Sequence, residues 1–248
     1  MMKSILVGVV CCGIPAIAFA GVSEITFGAG NTAFESGLGQ AGLFNGAGAN
    51  TFAVGDGTYG VDFSRYNSQD WVAFENNGQF LASEGAFSVR VENTGVFNGG
   101  QGEVIAAMDA NTENEGDWIL RFERETDTTG QILLRYQRLG ETFFLRSDIG
   151  AISIGDIIDV SFEFGAGGVA LFVDGSLEDS SAEAADFTQN INALVLGSSN
   201  WTATPGSFPP SATTVGSSLK LYSASFVPSP GAASVLTLAG LAAARRRR

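Results

Sequence analysis

The chain is 248 residues long, with 13 basic and 26 acidic side chains, a formal net charge of −13 and no histidine. The missing histidine excludes Ser-His-Asp and Cys-His catalysis and histidine-held zinc, and so acidic a chain lacks the basic patches that grip a nucleic-acid backbone. Both cysteines, Cys11 and Cys12, lie near the N-terminus, so the body that follows has no disulfide framework and must rest on its core.

The first element is "MMKSILVGVVCCGIPAIAFA", with Lys3, an apolar run from Ile5, and Ala18-Phe19-Ala20 as a small-x-small site. That pattern is a secretory signal peptide, with cleavage expected after Ala20. Cys11 follows Val10 and Cys12 follows Cys11, so neither has the small residue before it that lipidation requires.

Residues 21–226 read as one all-β domain. Thirty-three glycines and 19 phenylalanines point to strands joined by tight turns. Period-two segments follow one another along the chain: "TYGVDFSR", "WVAFEN", "AFSVRVEN", "GEVIAAMD", "DWILRFERE", "QILLRYQR", "TFFLRSD", "DIIDVSFEF", "GVALFVDG", "NALVLGSS" and "LKLYSASF". In the fifth, Trp118, Leu120 and Phe122 share one face and Ile119, Arg121, Glu123 and Glu125 the other. Turns are expected at Thr129-Gly130, Leu139-Gly140, Gly167-Gly168 and Asp174-Gly175. Regular strands of this kind predict a two-sheet antiparallel sandwich, preceded by a signal helix and followed by a short apolar helix.

The chain closes with "VPSPGAASVLTLAGLAAARRRR". Pro228 and Pro230 predict a break after the body. The 14 uncharged residues 231–244 are short for a membrane span of ~20 residues. Arg245, Arg246, Arg247 and Arg248 would hold that end in the cytoplasm. This order of parts resembles the PEP-CTERM sorting signal of bacterial exported proteins, with Val227-Pro228-Ser229-Pro230 where the family has Val-Pro-Glu-Pro. The resemblance implies an exosortase-type processing enzyme as partner, transient anchoring in the inner membrane, and delivery to the cell surface or an extracellular matrix. Removing Lys3 and the four arginines would take the net charge from −13 to −18, which favours solubility or the attraction of divalent cations.

The body, from about residue 43 to 201, resembles the laminin G-like branch of the concanavalin A-like lectin/glucanase superfamily. The segments that carry this are "GQAGLFNGAGANTFAV", "GAFSVRVENTG", "GEVIAAMDANTENEGDWILRF", "GDIIDVSFEF", "VALFVDGSLED" and "ALVLGSSNW", in that order. The resemblance implies a concanavalin A-like jelly-roll of two curved antiparallel sheets and a carbohydrate or protein ligand, often with calcium. Hydrolases of that superfamily carry Glu-x-Asp-x-x-Glu or Glu-x-Asp-x-Glu on one strand face, and neither pattern occurs here. The pair Glu123 and Glu125 lacks the central aspartate, so a binding role is expected rather than glycoside hydrolysis, which needs two flanking carboxyls.

Calcium prefers hard oxygen ligands. The densest oxygen cluster is "DANTENEGD", with Asp109, Asn111, Glu113, Glu115 and Asp117 alternating. It departs from an EF-hand loop, having Asn114 at the glycine position and Leu120 at that of the bidentate glutamate. It is either a calcium loop or a solvated hairpin. Asp56 and Asp62 of "DGTYGVD" form a second, weaker candidate. A sugar site needs an exposed aromatic face and hydrogen-bonding side chains. Trp118 is expected in the core, whereas Trp71 and Trp201 stand where exposure is open, and Trp201 beside Asn200 is the better candidate. Arg121, Arg135 and Gln137, with Glu123, would line an outward sheet face that serves either as a glycan platform or as plain surface. The expected partner is an extracellular polysaccharide or surface glycan; the alternatives are an adhesive protein binding other proteins, or an extracellular glycoside hydrolase.

Overall fold

The computed structural model describes residues 22–46, 49–64, 70–94, 103–110, 117–124, 129–188, 191–198, 208 and 218–228. Within them the chain forms 18 strands. The first nine are β1 (Ser23–Gly28), β2 (Thr32–Glu35), β3 (Gln40–Ala41), β4 (Leu43–Asn45), β5 (Ala49–Gly55), β6 (Thr58–Ser64), β7 (Trp71–Glu75), β8 (Gly85–Asn93) and β9 (Val104–Ala110). The others are β10 (Trp118–Arg124), β11 (Thr129–Arg138), β12 (Glu141–Arg146), β13 (Ile152–Ser153), β14 (Ile157–Gly165), β15 (Gly168–Val173), β16 (Ser176–Ser181), β17 (Ile191–Leu196) and β18 (Ser218–Pro228).

They pair into two antiparallel sheets. The larger runs β16-β15-β14-β8-β18-β6-β1-β2-β3, with β5 beside β6. The smaller runs β12-β11-β10-β9-β17-β7-β4, with β13 beside β11. The expected all-β sandwich is therefore the observed fold. Every period-two segment named above is a strand. β1, β2, β3, β4, β5, β13 and β16 join them; β16, "SLEDSS", has only one apolar residue and so leaves no period-two trace. No helix among the described residues is long and apolar enough to cross a membrane.

The alternation translates directly into burial. In β14, Ile158, Val160, Phe162 and Phe164 point inward, while Asp159 and Glu163 are exposed. In β10, Trp118, Leu120 and Phe122 are fully buried. The two inner faces meet over an aromatic seam: the Trp118 ring lies 4.9 Å from Phe87 and 4.9 Å from Phe162, and Phe164 lies 4.5 Å from Phe187. Burying such rings contributes roughly 1.5–3 kcal/mol each.

Three hairpins use turns with both central residues at positive φ, which match the strand twist. They are Asp56-Gly57 (φ 51° and 79°), Leu139-Gly140 (51° and 80°) and Asp174-Gly175 (50° and 78°). Two expected turns move. Thr129-Gly130 lies inside β11, paired with Ser153 and Ile152, because the strand continues where the local sequence offers a turn. The turn before β15 falls one residue earlier, on Ala166 and Gly167. Gly168 opens β15 at φ 119°, where an added Cβ would lie 2.0 Å from the Ser181 carbonyl oxygen.

The last strand also runs past the expected domain edge at residue 226. Val227 pairs with Ala86 and Pro228 with Gly85, so the first half of the Val-Pro-Ser-Pro motif is part of the sheet. Proline is tolerated at a strand's end because no further ladder bond is asked of it. Ser229, Pro230, Arg245, Arg246, Arg247 and Arg248, like Ala18 and Ala20, lie outside the described residues.

Candidate functional site

The outward face of the larger sheet carries a groove of about 570 Å³, lined from β1, β18, β8 and β14, a size within the usual range of small-ligand sites. Its floor follows from register. Glu24 stands opposite Ser225, Ser225 opposite Ser88, and Ser88 opposite Ser161, so three serines and a glutamate form a line across four adjacent strands. At the usual strand spacing this row spans roughly 14 Å. Ser88 Oγ and Ser225 Oγ are 2.8 Å apart. Serine is short, so the row is a trench between taller side chains. Each hydroxyl both donates and accepts. One wall is the Arg90–Asp159 pair, 3.4 Å apart and exposed to solvent. Asp159 is fixed at its main chain, whose amide donates to Asp174 Oδ1 at 2.9 Å.

Beside this wall a second row crosses the same face: Asp62, Lys220, Glu92 and Ile157 stand in register on β6, β18, β8 and β14. Lys220 Nζ lies 3.3 Å from Glu92 Oε2, and the Tyr222 hydroxyl donates to the same oxygen. Tyr222 reaches it because β18 carries a bulge there: Leu221 pairs with Val91 and Ser223 with Arg90, leaving Tyr222 as the extra residue. Burial, the hydrogen bond to Glu92 and that carboxylate's charge push the Tyr222 hydroxyl up to about 12. Burial also raises Asp62, with Lys220 opposing and Glu92 adding to the rise. Phe52 meets Tyr222 edge to face at 5.5 Å and 89°. Its ring lies over Gly60, where an added Cβ would come within 2.7 Å of Phe52 Cζ and 2.6 Å of the Leu221 oxygen, so glycine makes the approach possible.

The residues expected from sequence divide. Arg121, Arg135 and Gln137 do share the outward face of the smaller sheet, all half-buried. There Glu123 is the hub: Arg146 Nε donates to it at 3.0 Å, Gln131 Nε2 at 2.6 Å, and Arg121 lies 3.4 Å away. Burial alone would raise the Glu123 carboxyl, but the bonds from Arg146 and Gln131 and the charges of Arg146 and Arg121 outweigh it and hold it below the ordinary value. Burial likewise lowers the Arg135 guanidinium, with Asp117 opposing and Arg121 adding. Gln137 Nε2 donates to Thr142 at 3.4 Å. Glu123 is thus engaged by three of its own neighbours, while the Arg121 Nε beside it is buried without a hydrogen-bond partner among the described residues.

Asp109 lies in β9, opposite Ala193, and Asp117 is half-buried just ahead of β10. The residues between them that were candidates for calcium, Asn111, Glu113 and Glu115, lie outside the described residues, as do Asn200 and Trp201. Among the described residues no group of three or more carboxylates is arranged to hold a metal ion. Asp56 sits in the β5–β6 turn while Asp62 lies six residues on in β6. Trp71 is only 3% exposed, packed with Ala73, Ala193 and Val195 beneath Phe208, so it offers no free aromatic face.

The groove residues escape a reading by strand period because serine at an outward position looks like ordinary surface. The available signal is that "AFSVRVEN", "DIIDVSFEF" and "LKLYSASF" each carry serine at such a position; only the register aligns them. Glu103 also escapes. It is 4% exposed, neither carboxylate oxygen has a hydrogen-bond partner of normal geometry, and burial pushes its carboxyl up to about 7, offset only in part by the Ser218 main chain.

No protein-family model matches the chain, and no characterised protein matches it in sequence. Its fold is similar to that of the botulinum neurotoxin serotype D binding domain, with a TM-score of 0.55 and 12% identity over 83% of this chain and 48% of that one. It is also similar to a mutant of the Trypanosoma rangeli sialidase displaying trans-sialidase activity, with a TM-score of 0.54 and 13% identity over 84% of this chain and 31% of that one. The chain thus spans about half of the first protein and a third of the second. At these identities the likeness is one of fold: a two-sheet antiparallel sandwich.

Proposed function

We propose that this chain is an exported glycan-binding β-sandwich that acts at the cell surface or in an extracellular matrix. One observation carries the binding role: a trench on the open face of the larger sheet whose floor is a register-aligned row of serine hydroxyls, walled by Arg90 and Asp159. A polyhydroxyl ligand needs closely spaced groups that both donate and accept, and this floor supplies them without a deep apolar cavity. A fold shared with a binding domain and a sialidase is compatible with such use. The role is binding without turnover, and calcium, if it takes part, would come through the 109–117 segment.

Export rests on the sequence: the signal pattern ending at Ala20 and the tail with Pro228, Pro230 and Arg245–Arg248, which would hold the chain at the inner membrane for an exosortase-type enzyme. The test of binding takes the full chain and a polysaccharide panel, with calcium and then with chelator. Saturable binding is expected; no binding to any glycan in either condition sinks the proposal in favour of an adhesive protein with protein partners. The mass of the surface-exposed protein tests the sorting: it should begin at Gly21 and lack Arg248, and a chain that still ends in Arg248 counts against it.

A further inference from the structure

We infer, resting on the glycan-binding role proposed above, that the groove selects glycans without acidic groups and rejects uronate, sialate and sulfate polymers. The charges around it are unequal. Glu24 and Asp159 line the groove and Asp174 accepts a bond from the Asp159 amide; Asp62 and Glu92 stand in the adjoining row. Among the described residues two cations, Arg90 and Lys220, stand against these five carboxylates. Both are engaged: Arg90 lies 3.4 Å from Asp159, and Lys220 lies 3.3 Å from Glu92 and 5.8 Å from the centre of the Phe52 ring.

The difference is decisive for recognition. Binding a carboxylate or sulfate in a polar groove calls for a cation with free donors, usually arginine in a two-pronged grip. Arg90 touches Asp159 through one nitrogen at 3.4 Å, so an anion drawn to its remaining donors would sit directly beside the Asp159 carboxylate and be repelled by it. An acidic polymer would also place its charges within a screening length of ~8 Å of several carboxylates at physiological salt. An uncharged sugar meets no such penalty. Its hydroxyls donate to Asp159, Glu24 and Asp62 and exchange bonds with Ser88, Ser161, Ser223 and Ser225, the roles that carboxylates and short hydroxyls fill best. The edge-to-face pair of Phe52 and Tyr222 adds half-buried apolar surface beside the adjoining row, where Tyr222 meets Glu92. Selection here works by an excess of like charge against the wrong ligand as much as by contacts to the right one.

The test measures the full chain by calorimetry against neutral polymers (dextran, laminarin, xylan) and acidic ones (alginate, hyaluronan). The strongest neutral ligand is expected to bind at least tenfold more tightly than either acidic polymer, with the gap widening as salt is lowered. Ser161→Gln, which fills the trench with a polar side chain, should weaken neutral binding at least tenfold without altering thermal unfolding. Glu24→Gln combined with Asp159→Asn should narrow the gap between the two classes. If acidic polymers bind as tightly as neutral ones and Ser161→Gln abolishes it, the selectivity is wrong while the glycan role stands. Binding untouched by Ser161→Gln lies elsewhere on the chain and overturns the inference. If no polymer binds, the glycan role itself fails and the inference with it.

Discussion

The outer faces of the two sheets are built from the same kind of strand and differ in what lies on them. On the larger sheet the outward row Ser225, Ser88 and Ser161 is partly open, and the alternation of "FSVRVEN" and "IDVSFEF" is intact. On the smaller sheet the outward row Ala73, Val195, Ala107, Ile119, Arg135 and Phe144 begins closed and ends open. Ala73, Val195 and Ala107 are buried, Arg135 is half-buried, and Phe144 is 46% exposed. Strands covered on both sides lose alternation and read as continuous apolar runs, as "WVAF" and "ALVL" do. A run that loses its period therefore marks a covered face, and a run that keeps it marks an uncovered one, which is open to a ligand only where its side chains do not satisfy one another as Glu123, Arg146 and Gln131 do.

The sharpest way to break this comparison is to place one charge on each face. Val195→Asp buries an unpaired carboxylate and should cost roughly 4 kcal/mol or more. Ser223→Asp, on the exposed groove side, should stay within ~0.5 kcal/mol. Urea unfolding of the two variants checks this, and equal losses would show that the faces are not distinguished by cover.

Glu103 provides the next effect. Its folded pKa of about 7 lies above the ordinary 4.5, so the folded protein resists ionising it. That contribution favours folding below pH 4.5 and is lost as pH rises to about 7, by roughly 3 kcal/mol when complete. Glu103→Gln should therefore be more stable than the parent at pH 8 and lose the advantage near pH 4, as read from denaturant midpoints at the two values.

Glu123 has the opposite sign. Its pKa is lowered, so its stabilisation is present above the ordinary 4.5 and fades as pH falls through the folded value. Glu123→Gln should cost about 1 kcal/mol at pH 7 and almost nothing at pH 2. Smallest is Tyr222→Phe, which frees Glu92 from one of its two donors and should cost at most ~1 kcal/mol. In the parent, spectrophotometric titration should show one tyrosine ionising near pH 12, absent from that variant.

Much of the fold was legible in the chain. The inward sets Trp118, Leu120, Phe122 and Ile158, Val160, Phe162, Phe164 follow from the period alone, and Leu139-Gly140 and Asp174-Gly175 from turn chemistry. The candidate site was legible only in part. The polar outward face of β10 and β11 was correctly placed, yet Glu123, Arg146 and Gln131 satisfy one another there. The sequence leaves the exposure of Trp71 open, and the cluster that buries it draws on Ala193, Val195 and Phe208, far along the chain.

What the sequence determined by itself is which side of each strand faces inward and where the tightest hairpins turn, because both depend on neighbours one or two residues away. Which strands lie side by side was decided only in three dimensions. Pairing Ser88 with Ser225 joins residues 137 positions apart, and Tyr222 turns toward Glu92 through a bulge in β18 that no local pattern announces. Register between distant strands is fixed by the packing of the whole inner face, and that register turns scattered serines into a groove.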